Sequence, residues 1–268
     1  MSPSRATLVA RYAEPVRREL PIRVLGKVDL LLDQLAQSGE RSAAELAEVL
    51  DEPRSSVYRL LLSLRALGMV EPAEARGRFR LGLRFLSLAA AVQSRFDERR
   101  AALPVMEHLH DLTGETVFLT IRRDFAGVCV ERIEGRRVQV LALRVGGSLP
   151  LHQGAAPRVL LAWDSPTFWD EYIAAGPLEA ATARTITDPA ALRAEIETIR
   201  QRGYAISDED VTEGIAALGA PIFDYKGIRA ALSVAGVRPA ILGDSMDAVL
   251  EPLLDGAREI SRSLGHAA

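Results

Sequence analysis

One stretch, residues 53–67, most constrains how this chain can fold. It places Val57, Leu60, Leu61 and Leu64 at i, i+3, i+4 and i+7, the spacing of one apolar helix face. The opposite face carries Arg54, Ser55, Ser56, Tyr58, Arg59 and Ser63, rich in hydrogen-bond donors and free of acids. A helix that reads DNA needs such donors for phosphates and base edges, and no carboxylate to repel the backbone. The plainer alternative is a three-helix module with a solvated basic face, so the flanking segments decide.

Upstream, Val24, Val28, Leu31, Leu32 and Leu35 mark a helix over 22–38, closed by Ser38-Gly39. Ser42 with Glu45 three residues on is a capping box, opening a short helix over 43–50 that buries Leu46, Val49 and Leu50. Asp51-Glu52-Pro53 turns directly into the third helix. Downstream, Gly68 closes that helix, and 69–71 with 78–81 read as a two-stranded wing carrying Arg76, Arg78 and Arg80. This order is a winged helix-turn-helix over 22–83. Its expected DNA contacts are Ser42, Arg54, Ser55, Ser56, Tyr58 and Arg59, with the three wing arginines on the backbone. Residues 1–84 hold 14 basic and 11 acidic side chains, and the remainder 19 and 25, so only the first part suits a polyanion. Residues 1–21 form an extension with four arginines, a tail or an arm on DNA.

Phe85, Leu88, Ala89, Val92 and Phe96 then predict a linker helix over 84–97 and a dimer seam. Residues 98–268 read as an α+β domain. A helix over 99–113 presents Leu103, Met106, Leu109 and Leu112, followed by strands over 116–123, 128–133 and 138–144. After an irregular stretch, 146–157, come helices near 159–163, 166–175 and 188–202. Strands at 204–207, 216–223 and 229–235 follow, then a helix over 244–264. The short turns require antiparallel pairing, giving an antiparallel sheet flanked by helices.

The chain is 48% hydrophobic and 26% charged, a folding composition. No apolar run approaches the roughly 20 residues that cross a bilayer, and the N-terminus lacks a signal-peptide core. Cys129 stands alone, excluding disulfides and cysteine-built zinc sites. The expectation is a cytoplasmic protein without a membrane partner.

Catalytic chemistry finds little purchase. His108 and His110 are two apart on a helix and point to different sides. His152 has no nucleophile elbow beside it, and Cys129 sits in an alternating strand as core. Gly146-Gly147 reads as a turn, and no phosphate-cradling glycine pattern appears, so no cofactor is expected. Trp163 and Trp169 read as packing residues. Phe118, sharing a strand face with Thr116 and Thr120, suits either the core or a stack on an aromatic ligand.

The chain is similar to the IclR family of bacterial transcription regulators from about Arg23 to Gly265. The resemblance rests on Arg54-Ser55-Ser56-Val57-Tyr58-Arg59-Leu60-Leu61, Leu67-Gly68 and Gly77-Arg78-Phe79-Arg80-Leu81-Gly82. Further marks are Thr113-Gly114-Glu115-Thr116-Val117, Pro150-Leu151-His152 and Arg184-Thr185-Ile186-Thr187-Asp188, then Arg202-Gly203-Tyr204-Ala205 and Ala220-Pro221-Ile222. It implies a winged-helix domain, a linker helix and a GAF-like effector domain that binds a small organic or aromatic acid. It also implies dimers or tetramers on double-stranded operator DNA. Carried over by motif, the ligand loop is Pro150 to Ala156, with His152, Gln153, Gly154, Ala155 and Ala156. The other pocket positions are Leu141, Leu149, Ser207, Asp208, Ala217 and Ser233.

Departures from the family pattern are Pro157-Arg158 for Gly-Lys, Ala216-Ala217 for Arg-Cys, and Ser207 where some members have Asp. They predict a larger, more apolar effector. Two other readings stay open: an enzyme or storage domain fused to a DNA-binding module, and a constitutive DNA-binding regulator with a vestigial pocket.

Overall fold

The computed structural model describes residues 22–93, 96–137, 143–244 and 246–266. The extension over 1–21 lies outside them. The chain divides just before Phe96 into two compact units.

The first unit opens with α1 (Arg23–Ser38), whose Leu31 and Leu35 are buried. Val24, expected in the same stripe, is exposed, so the buried face starts one turn later. Gly39 adopts φ 77° and returns its N–H to Leu35 O, ending the helix. A two-residue strand unforeseen in the sequence, β1 (Arg41–Ser42), precedes α2 (Ala43–Leu50). The capping box forms: Ser42 Oγ accepts from Glu45 N at 3.2 Å, and Glu45 Oε2 accepts from Ser42 N at 2.7 Å. Ala43, Leu46 and Leu50 are the buried side of α2. Val49 is exposed, contrary to expectation, because it lies one helical step (100°) from Leu50 and off that line. Pro53 caps α3 (Arg54–Ala66), with Val57, Leu61 and Leu64 buried and Leu60 half-buried. β2 (Val70–Pro72) and β3 (Arg78–Leu81) form the hairpin in register Val70↔Leu81, and β1 pairs with the other edge of β3.

The linker helix is α4 (Arg84–Gln93). Of the expected seam, Leu88, Ala89 and Val92 are exposed and Phe85 is half-buried. Phe96 leaves the seam: it packs on the core of the second unit, with the Arg123 guanidinium 5.6 Å from its ring.

The second unit begins with α5 (Asp97–Thr113). Its buried apolar line is Ala102, Val105, Met106 and Leu109; Leu103 is half-buried and Leu112 exposed, both expected to be buried but lying off that line. A six-stranded antiparallel sheet follows, built from β4 (Thr116–Arg123), β5 (Ala126–Ile133), β6 (Ser148–Pro150), β7 (Ala205–Asp208), β8 (Ile215–Asp224) and β9 (Gly227–Val237). Their order is β6-β5-β4-β9-β8-β7. Of the strand expected over 138–144, residues 138–142 lie outside the described residues, and Leu143 and Arg144 are irregular. Instead 148–150, expected to be irregular, pairs with β5 through Gly127↔Leu149.

Strand alternation divides the side chains between two helical layers. Val117, Leu119 and Ile121 face α5 and the last helix, α10 (Met246–Ser263), which follows the short α9 (Arg238–Leu242). Over the other face lie α6 (Ala155–Ala162), α7 (Pro166–Ala174) and α8 (Pro189–Arg202). Ser165 and Asp188 cap the latter two, accepting from Phe168 N at 3.1 Å and Ala191 N at 2.8 Å. Every residue of α6 is buried, so it is hydrophobic all round apart from Arg158.

Two glycines let α6 lie against the sheet. A Cβ on Gly219 would stand 2.9 Å from the Ala155 backbone carbon, and one on Gly127 would stand 2.9 Å from Pro157 Cγ. Gly219→Ala should therefore lower stability by about 1–3 kcal/mol through overpacking. Urea unfolding should show an earlier midpoint with an unchanged slope. An unchanged midpoint would mean that α6 gives way at no cost.

Candidate functional site

On the first unit, Arg54, Ser55, Tyr58 and Arg59 stand exposed along α3, with Ser56 half-buried beside them. Tyr58 holds its place by an edge contact with Phe79, ring centroids 6.3 Å apart. Among the described residues no carboxylate pairs with Arg54, Arg59 or Arg76. The other three expected contacts are committed within the molecule. Ser42 caps α2. Arg78 does not point freely from the wing: it donates to Glu45 Oε1 at 2.9 Å and to Glu40 O at 3.2 Å, tying β3 to the capping box. The Ser42 N–H, with Arg78 beside it, holds the Glu45 carboxyl below its ordinary pKa. Arg80 pairs with Glu71 at 2.8 Å, an exposed contact of a kind worth about 0–1 kcal/mol.

The second unit encloses a small cavity of about 70 Å³ at the start of α6. Eight expected residues line it: Phe118, Leu149, Gly154, Ala155, Ala156, Ser207, Ala217 and Ser233. Leu143, Val211, Thr212 and Ile215 join them without having been expected, together with Pro157, which the sequence marked as a departure beside the ligand loop. At Val211 the sequence signal was an apolar residue in the polar run Asp208-Glu209-Asp210-Val211-Thr212. Leu141 lies outside the described residues.

Three expected residues are not brought to the cavity. His152 is buried, its Nε2–H donating to Glu179 O at 2.8 Å and its Nδ1 meeting the Tyr172 hydroxyl at 2.7 Å. Gln153 Nε2 donates to the same carbonyl at 2.9 Å. Both side chains thus brace the ligand loop from behind. Asp208 turns outward, gripped by Arg238 at 2.5 and 3.1 Å and by Arg184 at 2.9 Å.

Behind the cavity sits an ion pair, Arg158 and Asp210, with both side chains almost wholly buried and 3.3 Å apart. Arg158 also donates to Ile206 O at 2.6 Å and to Gly154 O at 3.2 Å. Asp210 accepts from Gly154 N at 2.9 Å and from the Ser207 hydroxyl. The pair therefore fixes β7 and the following loop to the first turn of α6. That turn is open at the cavity: Gly154 caps it at φ 79°, and the first helical residues Ala155 and Ala156 have N–H groups without intrahelical acceptors. Pro157 withdraws the next donor, as its ring requires. Such a terminus favours an anion.

Among the described residues nothing resembles a reaction centre. Burial pushes the Cys129 thiol up to about 12, far from a thiolate at neutral pH. No cluster of His, Cys, Asp and Glu among the described residues has the spacing of a metal site.

A winged three-helix module with an acid-free third helix, joined to an α+β domain with an anion-favouring cavity, defines a DNA-binding transcriptional regulator. Two family models match: the IclR helix-turn-helix domain over residues 25–74, and the bacterial transcriptional regulator IclR C-terminal domain over 90–262. The chain belongs to the IclR family, whose members are named regulators rather than enzymes. The HTH-type transcriptional regulator KipR of Bacillus subtilis is 33% identical over 88% of this chain and 94% of its own length. The crystal structure of the Thermotoga maritima IclR superposes with a TM-score of 0.80 at 30% identity, covering 91% of this chain and 98% of that one. An IclR homologue from Microbacterium hydrocarbonoxydans, crystallised with 4-hydroxybenzoate, gives 0.75 at 25% identity, covering 90% and 98%.

The clamp on Asp208 has a signature in pH. The hydrogen bond from Arg238 comes first, with the charges of Arg238 and Arg184 behind it, and lowers the Asp208 pKa against the smaller opposing effect of burial. A folded pKa below the unfolded value of about 3.9 adds stability above that pH, and the gain is lost as pH falls through the folded value. Wild-type unfolding free energy should drop more steeply below about pH 4 than that of Asp208→Asn. Parallel profiles in acid denaturation would show that the clamp adds nothing.

Proposed function

We propose that this regulator binds double-stranded operator DNA in the cytoplasm through α3 and the tip of the wing. A small carboxylic acid with a flat apolar body, seated at the start of α6, changes that binding. The observation that carries the reading is the cavity itself: two free backbone N–H groups at one end, the Ser207, Thr212 and Ser233 side chains at its margin, and otherwise apolar walls. The carboxylate meets the helix terminus, and the body packs against Phe118, Leu143 and Ile215. The 4-hydroxybenzoate bound to the Microbacterium homologue is an acid of this class. The lining supports the apolar half of the sequence expectation. The volume does not call for a bulky ligand, so the loop carrying Val211 and Thr212 moves to admit an aromatic ring.

The working species is a homodimer, or a tetramer built from two such dimers. In support, Leu83, Leu86, Leu88 and Val92 are all more than two-fifths exposed on and beside α4, an apolar stripe with no cover of its own. No helix among the described residues is long and apolar enough to cross a membrane.

Fluorescence anisotropy against the DNA flanking its own gene, at stated salt and with competitor DNA, tests the reading. One member of a panel of aliphatic and aromatic acids should shift the specific affinity; indifference to all of them would favour constitutive binding. Arg59→Ala should cost about 1–3 kcal/mol if the guanidinium grips a base edge. An unchanged affinity would remove Arg59 from the contact set.

A further inference from the structure

The second unit holds a larger cleft than the cavity above, at the opposite end of α6. The two share no lining residue. The cleft encloses about 560 Å³, within the range of roughly 300–1,000 Å³ usual for small-molecule sites. Trp163, at the C-cap of α6, and Pro221 and Phe223 on β8 form its aromatic and apolar floor, closed on one side by Leu254 and Ala257 of α10. The rings are mutually braced. Trp163 meets Phe223 edge-on at 5.9 Å, and His266 stacks on Phe223 at 5.1 Å.

The rim has one sign of charge. Arg202, Arg258 and Arg262 stand on it, and no acid is among the lining residues. Arg202 is held by Glu195 and Tyr204 O, and Arg258 by Asp255. Among the described residues Arg262 makes only a long Nε contact with Arg258 O, 3.4 Å, which leaves the rest of its guanidinium for an incoming anion. An apolar floor with a forked cation at the mouth matches an amphipathic anion.

We propose that this cleft is a second small-molecule site, which takes an apolar carboxylate with its hydrocarbon body on Trp163 and Phe223 and its carboxylate on Arg262. It is independent of the acid at the start of α6 and stands whether or not that reading does.

The chain has two tryptophans, and Trp169 is buried with its Nε1–H on Leu161 O, so Trp163 is the reporter. Titrating the full-length protein with 4-tert-butylbenzoate should change tryptophan emission saturably, and Trp163→Phe should abolish the signal. Arg262→Glu should weaken binding at least tenfold, Arg262→Gln nearly as much, and Arg262→Lys should largely restore it. The neutral 4-tert-butylbenzyl alcohol should bind at least tenfold more weakly. Ala217→Leu, which fills the other cavity, should leave the affinity unchanged. Equal binding by wild type, Arg262→Glu and Arg262→Gln overturns the proposal. So does loss of the signal in Ala217→Leu while Arg262→Glu retains it, because the probe then sits at the start of α6. A change in sedimentation of Arg262→Glu without any change in probe affinity also overturns it, since the cleft would then seat a second copy of the chain.

Discussion

The buried pair of Arg158 and Asp210 is the contact on which the second unit's architecture turns. Two charges leave water together, and each desolvated ion costs several kcal/mol before their attraction is counted. The cost is met only because their remaining donors and acceptors are taken up by Gly154, Ile206 and Ser207. The result is weak as a source of stability and strong as a specification of geometry. It ties the first turn of α6 to the end of β7 and to Asp210 in the loop that follows. The cavity opens beside this junction, walled also by Phe118, Leu143, Leu149 and Ser233, so the pair sets the position of one of its sides.

In the first unit a local signal has a long reach. Ser42 and Glu45 start α2, which is a matter of four consecutive residues. Yet Glu45 also holds Arg78, thirty-three positions later, and β1 joins the wing at the same place. The pitch of the hairpin is thereby referred to the helix that precedes α3.

Much of this was legible in the order of residues because it is set locally. The capping box, the turn at Pro53, the stripe of α3 and the alternation in β4 depend on neighbours at one to seven positions. What failed to show depends on partners far along the chain. Val49 and Leu112 have helical spacing but face away from the layers that cover their neighbours. The strand at 148–150 looks irregular until β5 is beside it. His152 and Asp208 sit in the right segments, and the sequence cannot say on which side of the backbone a side chain finds its partner. The outward turn of Asp208 is decided by Arg184 and Arg238, twenty-four and thirty residues away. Arg158 carried the reverse lesson: read as a departure from a pattern, it proves to be the anchor of the site.

Gly127 and Pro157 meet where α6 touches the sheet, with no room for a methyl group between them. Position 127 is then not free to drift alone across generations. A larger residue at 127 is admissible only after 157 has shed its ring, and that change returns a backbone donor to the mouth of the cavity. Packing of the helix and the chemistry offered to a ligand are in this way inherited together, and a shift in what the protein senses can begin as a repair of its core.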